Sequence, residues 1–322
     1  MAAAGAARVL ITRPMTAAVN ARAQLGFDVE IRQSTAPMSP EEMIESLRAF
    51  DVVVPTLGDA YSAEIFAAVT DPRCKLLANF GVGYNHIDVA AARAAGLEVT
   101  NTPGAVTDAT ADIALTLMLM SARRAGEGER LVRSGSWQGW HPTQMLGLHL
   151  SGKRLGIVGL GRIGDAIARR AHFGFGMEIA YVARSDKETS YPAERAESLL
   201  ALAASVDMLV IAVPGGAETR HLVGAEVLAA MPPHAHLINI ARGEVVDEAA
   251  LIAALETGQI AGAGLDVYEF EPKVPAALRA LDCVTLLPHL GTATEEVRSA
   301  MGHMALDNVA AYLAGEPLPN RV

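Results

Sequence analysis

Three glycines, Gly159, Gly161 and Gly164, stand in G-x-G-x-x-G spacing within "GLGRIG". An apolar run, "RLGIV", precedes them and a helix-forming stretch, "RIGDAIARRA", follows. A glycine triplet by itself occurs in many turns, but the strand before it and the helix after it give this one a chemistry. The glycines permit a tight turn and a close backbone approach to an anion, and the first helical turn presents free N–H groups to it. The pattern predicts a dinucleotide pyrophosphate held at Gly159, Leu160, Gly161, Arg162, Ile163 and Gly164. The alternative is a packing loop without a ligand.

The next apolar run, "EIAYVAR", ends where an Asp or Glu would accept hydrogen bonds from both hydroxyls of an adenine ribose. In "YVARSDK" that place is taken by Arg184 and Ser185. A guanidinium and a hydroxyl are donors suited to a 2′-phosphate. The expected cofactor is therefore NADP(H) in preference to NAD(H). The competing reading makes Arg184 a solvated strand-end residue and Asp186 the ribose ligand.

These groups need elements to hold them. "RVLIT", "FDVEI", "DVVVP", "KLLANF" and "LEVTN" read as one series of strands. "KRLGIVGL", "EIAYVAR", "VDMLVIAVP", "AHLINIA", "AGAGLDVY" and "VTLLPH" read as a second. Continuous Val/Ile/Leu runs without polar alternation are strands buried on both faces. Helical patterns between them imply parallel sheets joined by right-handed crossovers, hence two α/β domains. "TDATADIALTLMLMSARRAGEGERLVRSGSW", between the two series, reads as one long helix with Asp108 as its candidate N-cap. A further helix runs from about Thr292 to Gly315.

The bulk numbers fit this reading. A length of 322 residues suits two domains, and 51% hydrophobic with 19% charged residues describes a folded globular chain. The formal charge of −10 argues against a nucleic-acid partner. The N-terminus lacks a basic start followed by an apolar stretch, so a signal peptide is not expected, and "ADIALTLMLM" is too short to span a bilayer. Cys74 and Cys283 are far apart and read as reduced residues of a cytoplasmic protein. His86, His141, His149 and His303 fit no familiar ligand spacing, so no metal is expected.

Several ordered motifs carry a resemblance over nearly the whole chain: "NFGVGYNHID", "VTNTPGAVTDATADIALTLMLMSARR", "GKRLGIVGLGRIG", "INIARGEVVDEAAL", "AGAGLDVYEFEP" and "LLPHLGTAT". The chain resembles the D-isomer-specific 2-hydroxyacid dehydrogenases, most closely their glyoxylate/hydroxypyruvate reductase branch. The resemblance implies two Rossmann-like, doubly wound parallel-sheet domains. Residues 1–102 and 291–322 would form a discontinuous, flavodoxin-like substrate domain. Residues 103–290 would form the NAD(P)-binding domain, with a dimerisation helix and arm at about 105–150. It further implies hinge closure around the substrate.

Carried over by position, the catalytic residues are Arg242, Glu271 and His289. Arg242 would grip the carboxylate of a small 2-oxoacid and polarise its carbonyl. His289 would donate the proton that follows hydride transfer, with Glu271 orienting its ring and favouring the imidazolium. Leu57, Val82 and Gly83 would contact the substrate carboxylate. Thr107, Val213, Pro214, Thr219, Ile240, Ala241, Asp266 and Gly291 would line the cofactor site. "SWQGWHP" also resembles the reductase branch, and that resemblance implies that Trp140, or else Trp137, reaches a partner's active site in a homodimer.

Three features depart from the family pattern: Gly215 and Gly216 in "VPGGAET", one added residue in "AHFGFGM" before the strand that leads to Arg184, and Asp165 at the helix start. The expected activity is NADPH-dependent reduction of glyoxylate or hydroxypyruvate. Alternatives are an NAD-dependent dehydrogenase for another 2-oxoacid, of phosphoglycerate, lactate or aromatic type, and a dinucleotide-sensing corepressor-like module. Glu271, where the formate dehydrogenase branch has glutamine, disfavours that branch.

Overall fold

In the computed structural model, which describes residues 7–322, the chain forms two compact units. The first extends to Val106 and resumes over Ala293–Val322; the second is Thr107–Thr292. The first six residues, on which the leader reading partly rests, lie outside the described residues.

The first unit is a five-stranded parallel sheet of β1 (Arg8–Ile11), β2 (Asp28–Ile31), β3 (Val52–Val54), β4 (Leu76–Ala78) and β5 (Glu98–Thr100), in the order β2-β1-β3-β4-β5. Side chains alternate across a strand, so each strand feeds two cores. Val9, Ile11, Val52, Val54 and Leu76 pack with Leu306 and Val309 on one face. Leu10, Val53, Leu77 and Val99 pack with Met43, Leu47 and Phe66 on the other. Burial on both sides is why these strands read as unbroken apolar runs. Helices α1 (Ala17–Gly26), α2 (Pro40–Ala49), α3 (Ala63–Ala67) and α4 (Val89–Ala94) connect them. At α2, Ser39 and Glu42 form a reciprocal capping box with Pro40 in the first turn.

The second unit opens with α5 (Thr107–Ala122) and α6 (Ala125–Arg133). It continues β6 (Arg154–Val158), α7 (Arg162–Phe175), β7 (Glu178–Val182), β8 (Ala193–Arg195), α8 (Leu199–Ala204), β9 (Met208–Ile211) and α9 (Ala225–Ala230). It closes with β10 (His236–Asn239), α10 (Glu248–Glu256), β11 (Gly262–Leu265), α11 (Ala276–Ala280) and β12 (Val284–Leu286). All seven strands are parallel, in the order β12-β11-β10-β9-β6-β7-β8. The direction of winding reverses between β6 and β9, and a crevice opens beyond the carboxyl ends of strands at such a switch point. The chain then returns to the first unit in α12 (Glu295–Ala314), capped by Thr294 and ended by left-handed Gly315.

The continuous central helix expected between the two strand series is instead two helices. Arg124 adopts φ +53° and breaks the run. The Ala122 carbonyl, which a continuing helix would use, accepts the Leu148 amide at 2.8 Å as the chain returns across the helix end. The candidate cap Asp108 lies within the first turn of α5, where it pairs with Arg170 at 2.8 Å. Edge strand β8 went unread because its "AER" sequence is polar and mostly exposed, with no apolar run to announce it. Among the described residues, no helix is long and apolar enough to cross a membrane. Both cysteines are free.

Candidate active site

The glycine loop joins β6 to α7 at the switch point, and its three glycines do different work. Gly159 has φ +97°, and a Cβ there would come within 2.7 Å of Val213 Cγ1. A Cβ on Gly164 would overlap the Gly159 carbonyl, so this glycine lets helix and strand close together. A Cβ on Gly161 would meet nothing within 4 Å. The middle glycine thus borders open space at the N-cap of α7, where backbone amides face outward. Between them Leu160 is buried, Ile163 half-buried and Arg162 exposed. Asp165 lies in the first turn of α7, where its Oδ1 accepts from the Tyr191 hydroxyl at 2.8 Å.

β7 pairs with β6 through Val158↔Val182, and the helix before it ends at left-handed Gly176. Arg184 and Ser185 follow two and three residues past the strand end. Arg184 is 88% exposed, and its Nη2 donates to Glu218 Oε2 at 3.0 Å. Asp186 is paired instead with Arg195 at 2.8 Å. The structure thus brings a carboxylate to the position where the sequence lacks one, from the loop after β9. That loop runs through Val213, Pro214, Gly215 and Gly216, and Thr219 closes it by donating its hydroxyl to Pro214 O at 2.7 Å. Gly216, at φ +138°, makes the turn possible.

At the end of β10, Asn239 is 1% exposed and brackets the turn after the strand. Its Oδ1 accepts from Ala241 N and its Nδ2 donates to Arg242 O, both at 3.0 Å. Asn239 thereby fixes where Arg242 leaves the sheet. Sequence reading passed over it as one more residue of the strand, although a polar side chain ending a buried apolar run was the available signal. Ile240 and Ala241 are buried beside it. Burial pulls the Arg242 guanidinium below its usual pKa, while Glu271 and Glu244 pull it back up. The next residue, Gly243, sits so tightly that a Cβ would overlap the Tyr268 carbonyl.

Asp266 follows β11, is 1% exposed, and receives Leu290 N at 2.6 Å and Gly291 N at 2.8 Å. Burial raises its pKa, partly offset by those two amides and by His289. Its own backbone carbonyl accepts the His289 amide at 3.0 Å. Asp266 is thus the anchor of the loop that carries His289. His289 adopts φ +55°, a conformation that costs a non-glycine residue about 1–3 kcal/mol and persists where surrounding contacts over-determine it. Thr110 secures the same loop by donating to Gly291 O at 3.2 Å, while Thr107 begins the helix that carries it.

His289 Nδ1 lies 2.8 Å from Glu271 Oε2, both side chains being 30% exposed. Glu271 Oε1 accepts the Tyr268 amide at 3.0 Å. Burial pushes the Glu271 carboxyl up, but its bond to His289, the His289 charge, the Tyr268 amide and Arg242 outweigh it and hold it below the ordinary 4.5. Glu271 is therefore within electrostatic reach of both Arg242 and His289, which lie 47 positions apart in sequence. The arrangement offers a cation, an orienting carboxylate and an imidazole whose Nε2 is left for a proton transfer.

The remaining candidates are placed separately. In the first unit, Leu57 is 42% exposed and its carbonyl accepts from Arg13 Nη1 at 2.6 Å. Arg13 also binds Thr56 and, at 3.0 Å, the fully buried Asp59, which fixes this loop. The carbonyls of Val82 and Gly83 accept from Asn101 at 2.9 Å and Asn79 at 3.1 Å. In the second unit, Trp140 is 78% exposed, whereas Trp137 reaches Gln144 at 3.4 Å.

Residues 115–291 match the family described as D-isomer specific 2-hydroxyacid dehydrogenase, NAD binding domain. A glyoxylate reductase of Thermococcus onnurineus (strain NA1) is 43% identical over 321 residues, covering 98% of this chain and 95% of that protein. A glycerate dehydrogenase of Hyphomicrobium methylovorum is 38% identical over 312 residues, covering 96% of each. The crystal structure of an NADPH-dependent glyoxylate/hydroxypyruvate reductase from Sinorhizobium meliloti, in complex with NADP and malonate, superposes with a TM-score of 0.87. It is 36% identical and covers 99% of this chain and 97% of that one.

Proposed function

The chain belongs to the D-isomer-specific 2-hydroxyacid dehydrogenase family and is an oxidoreductase with a nicotinamide-dinucleotide-binding domain, and from that membership we propose that it reduces glyoxylate and hydroxypyruvate with NADPH. The products are glycolate and D-glycerate. The observation that carries this reading is the His289–Glu271 contact of 2.8 Å with Arg242 in electrostatic range of Glu271.

A dinucleotide fits the chain's own features: open space at Gly161, the left-handed turn at Gly159, and the outward amides of α7. When bound, the nicotinamide supplies the hydride. Arg242 holds the substrate carboxylate and draws electron density toward the carbonyl oxygen. Glu271 keeps the His289 ring turned with Nδ1 inward, so that Nε2 gives its proton to the oxygen as charge develops there. In the first unit, Leu57 and the backbone at Val82 and Gly83 are assigned contact with the substrate carboxylate.

Arg184 and Ser185 favour NADPH because both can donate to a 2′-phosphate. A second reading, use of NADH, is favoured by Glu218, which holds Arg184 at 3.0 Å and could itself accept from ribose hydroxyls. An exposed pair of this kind is worth only about 0–1 kcal/mol, so a phosphate can displace it. Glyoxylate, hydroxypyruvate, pyruvate and phenylpyruvate offered with NADPH or NADH, and read by loss of nicotinamide absorbance, test the proposal. A higher kcat/KM for pyruvate or phenylpyruvate would refute the substrate reading. Arg184→Asp is expected to lower kcat/KM for NADPH by roughly tenfold or more while leaving NADH within about threefold. Equal losses with both cofactors would refute the role of Arg184.

Val132, Trp137, Trp140 and Leu146 are 50–78% exposed within one short stretch. Apolar side chains concentrated in this way mark an association surface. We assign them to the arm of a homodimer, with Trp140 offered to the partner's active site. Light scattering is expected to give twice the chain mass of 33.7 kDa, and a monomer at micromolar concentration would refute the assignment.

A further inference from the structure

Glu269 stands two residues before Glu271, and its side chain is only 7% exposed. Its Oε1 meets Arg220 Nη2 and His221 Nε2, each at 2.8 Å. Its backbone amide donates to Glu248 Oε1 at 3.2 Å. A carboxylate withdrawn from solvent and shared between two donors differs from a surface ion pair, whose partners remain hydrated when separated. His221 is held in the left-handed region at φ +51°, which a non-glycine residue keeps only where its surroundings insist on it.

The two donors are not free ends. His221 N donates to Glu244 O at 2.8 Å, Val223 N to Val245 O at 3.0 Å, and Asp247 N to Val223 O at 3.0 Å. These bonds knit the loop after β9 to the turn that begins at Arg242. Gly243 in that turn lies in backbone contact with Tyr268. The loops after β9, β10 and β11 therefore meet at Glu269. On the far side of the same short segment, the Tyr268 amide and His289 Nδ1 each take one oxygen of Glu271.

We propose that Glu269, clamped by Arg220 and His221, is a positioning residue for the proton-donor pair: it fixes the Tyr268–Glu271 segment so that Glu271 stays against His289. This rests on the reading of Glu271 and His289 as catalytic. With its side chain committed to Arg220 and His221, Glu269 acts through Glu271. It also ties the cofactor-side loop of Pro214 and Thr219 to the segment that orients the acid.

Glu269→Ala is expected to lower kcat for glyoxylate reduction by roughly tenfold or more, since small displacements of a reacting group are costly, while KM for NADPH changes less than about threefold. Glu269→Gln, which keeps an acceptor for both donors, should recover much of the loss. In a Glu271→Gln background, adding Glu269→Ala should have no further effect on kcat, because both changes act on one interaction. A purely structural role would instead add its loss in full. Should Glu269→Ala fail to fold, the double variant Arg220→Ala/His221→Asn, at side chains 51% and 37% exposed, is expected to give the same kcat-selective loss. Unchanged kcat in a folded variant, or full additivity with Glu271→Gln, overturns the proposal. His289→Ala with wild-type turnover would instead overturn the underlying catalytic reading, so the two failures are distinguishable.

Discussion

Replacing His289 by alanine is expected to lower kcat for reduction by about 10²- to 10⁴-fold, the usual contribution of a positioned general acid. Binding of NADPH, read by fluorescence titration, should stay within about threefold, because His289 is assigned to the proton and not to the cofactor's phosphates. The variant loses the group whose Nδ1 sits 2.8 Å from Glu271 and whose loop is tied to Asp266. Alanine keeps a Cβ at φ +55° as histidine does, so the backbone strain is unchanged and a thermal melt of the variant separates loss of the proton donor from loss of fold. Wild-type kcat in a folded His289→Ala protein would remove the proton-donor assignment.

The pH dependence follows from the same pair. Glu271 has its pKa depressed below 4.5, so it binds fewer protons in the folded than in the unfolded chain. Its ionised form, and the support it gives, are present above 4.5 and lost only as pH falls through the lowered value. The acid limb of the rate profile should therefore lie below that of an ordinary glutamate. Glu271→Gln should lower kcat without abolishing it, since the ring loses its orienting charge while His289 itself remains.

Arg242→Lys is the second large effect: kcat/KM for the 2-oxoacid is expected to fall by about 10²- to 10³-fold. Lysine keeps one charge but not the planar fork that binds a carboxylate by two parallel hydrogen bonds and reaches the adjacent carbonyl. The guanidinium is half-buried and its Nη1 donates to Ala241 O at 2.7 Å, which leaves the rest of the fork for a substrate, so the point charge of a lysine cannot reproduce its geometry. Steady-state kinetics over a range of substrate decide the matter. A lysine variant within about threefold of wild type in kcat/KM would show that a bare charge suffices and that carboxylate gripping is not the role of Arg242.

Much of the fold was legible because its signals are local. Strands such as Val52–Val54 and Met208–Ile211 are buried on both faces, so their sequences are apolar without interruption. The glycine loop was legible because a strand, a tight turn and a helix start occur within a few residues, at Gly159, Gly161 and Gly164. The break at Arg124 was not legible, since it depends on Leu148, 24 residues further on, taking the Ala122 carbonyl. Strand β8 was missed for a related reason: at a sheet edge, pairing with Tyr181 and its neighbours supplies what the residues themselves do not signal.

The sequence by itself determined the class of chemistry: a dinucleotide fingerprint in its proper context, and an arginine, a glutamate and a histidine in motifs whose order assigns them to one family. Tertiary structure alone decided what surrounds each of them. It brought Glu218 to Arg184, spread Asp266 over the amides of the His289 loop, placed Asn239 under Arg242 and buried Glu269 between Arg220 and His221. The physical reason is range. Propensity and periodicity act over a few residues, whereas hydrogen bonds and charge interactions act between atoms a few ångströms apart, and only the folded sheet makes residues 34 and 49 positions apart into neighbours.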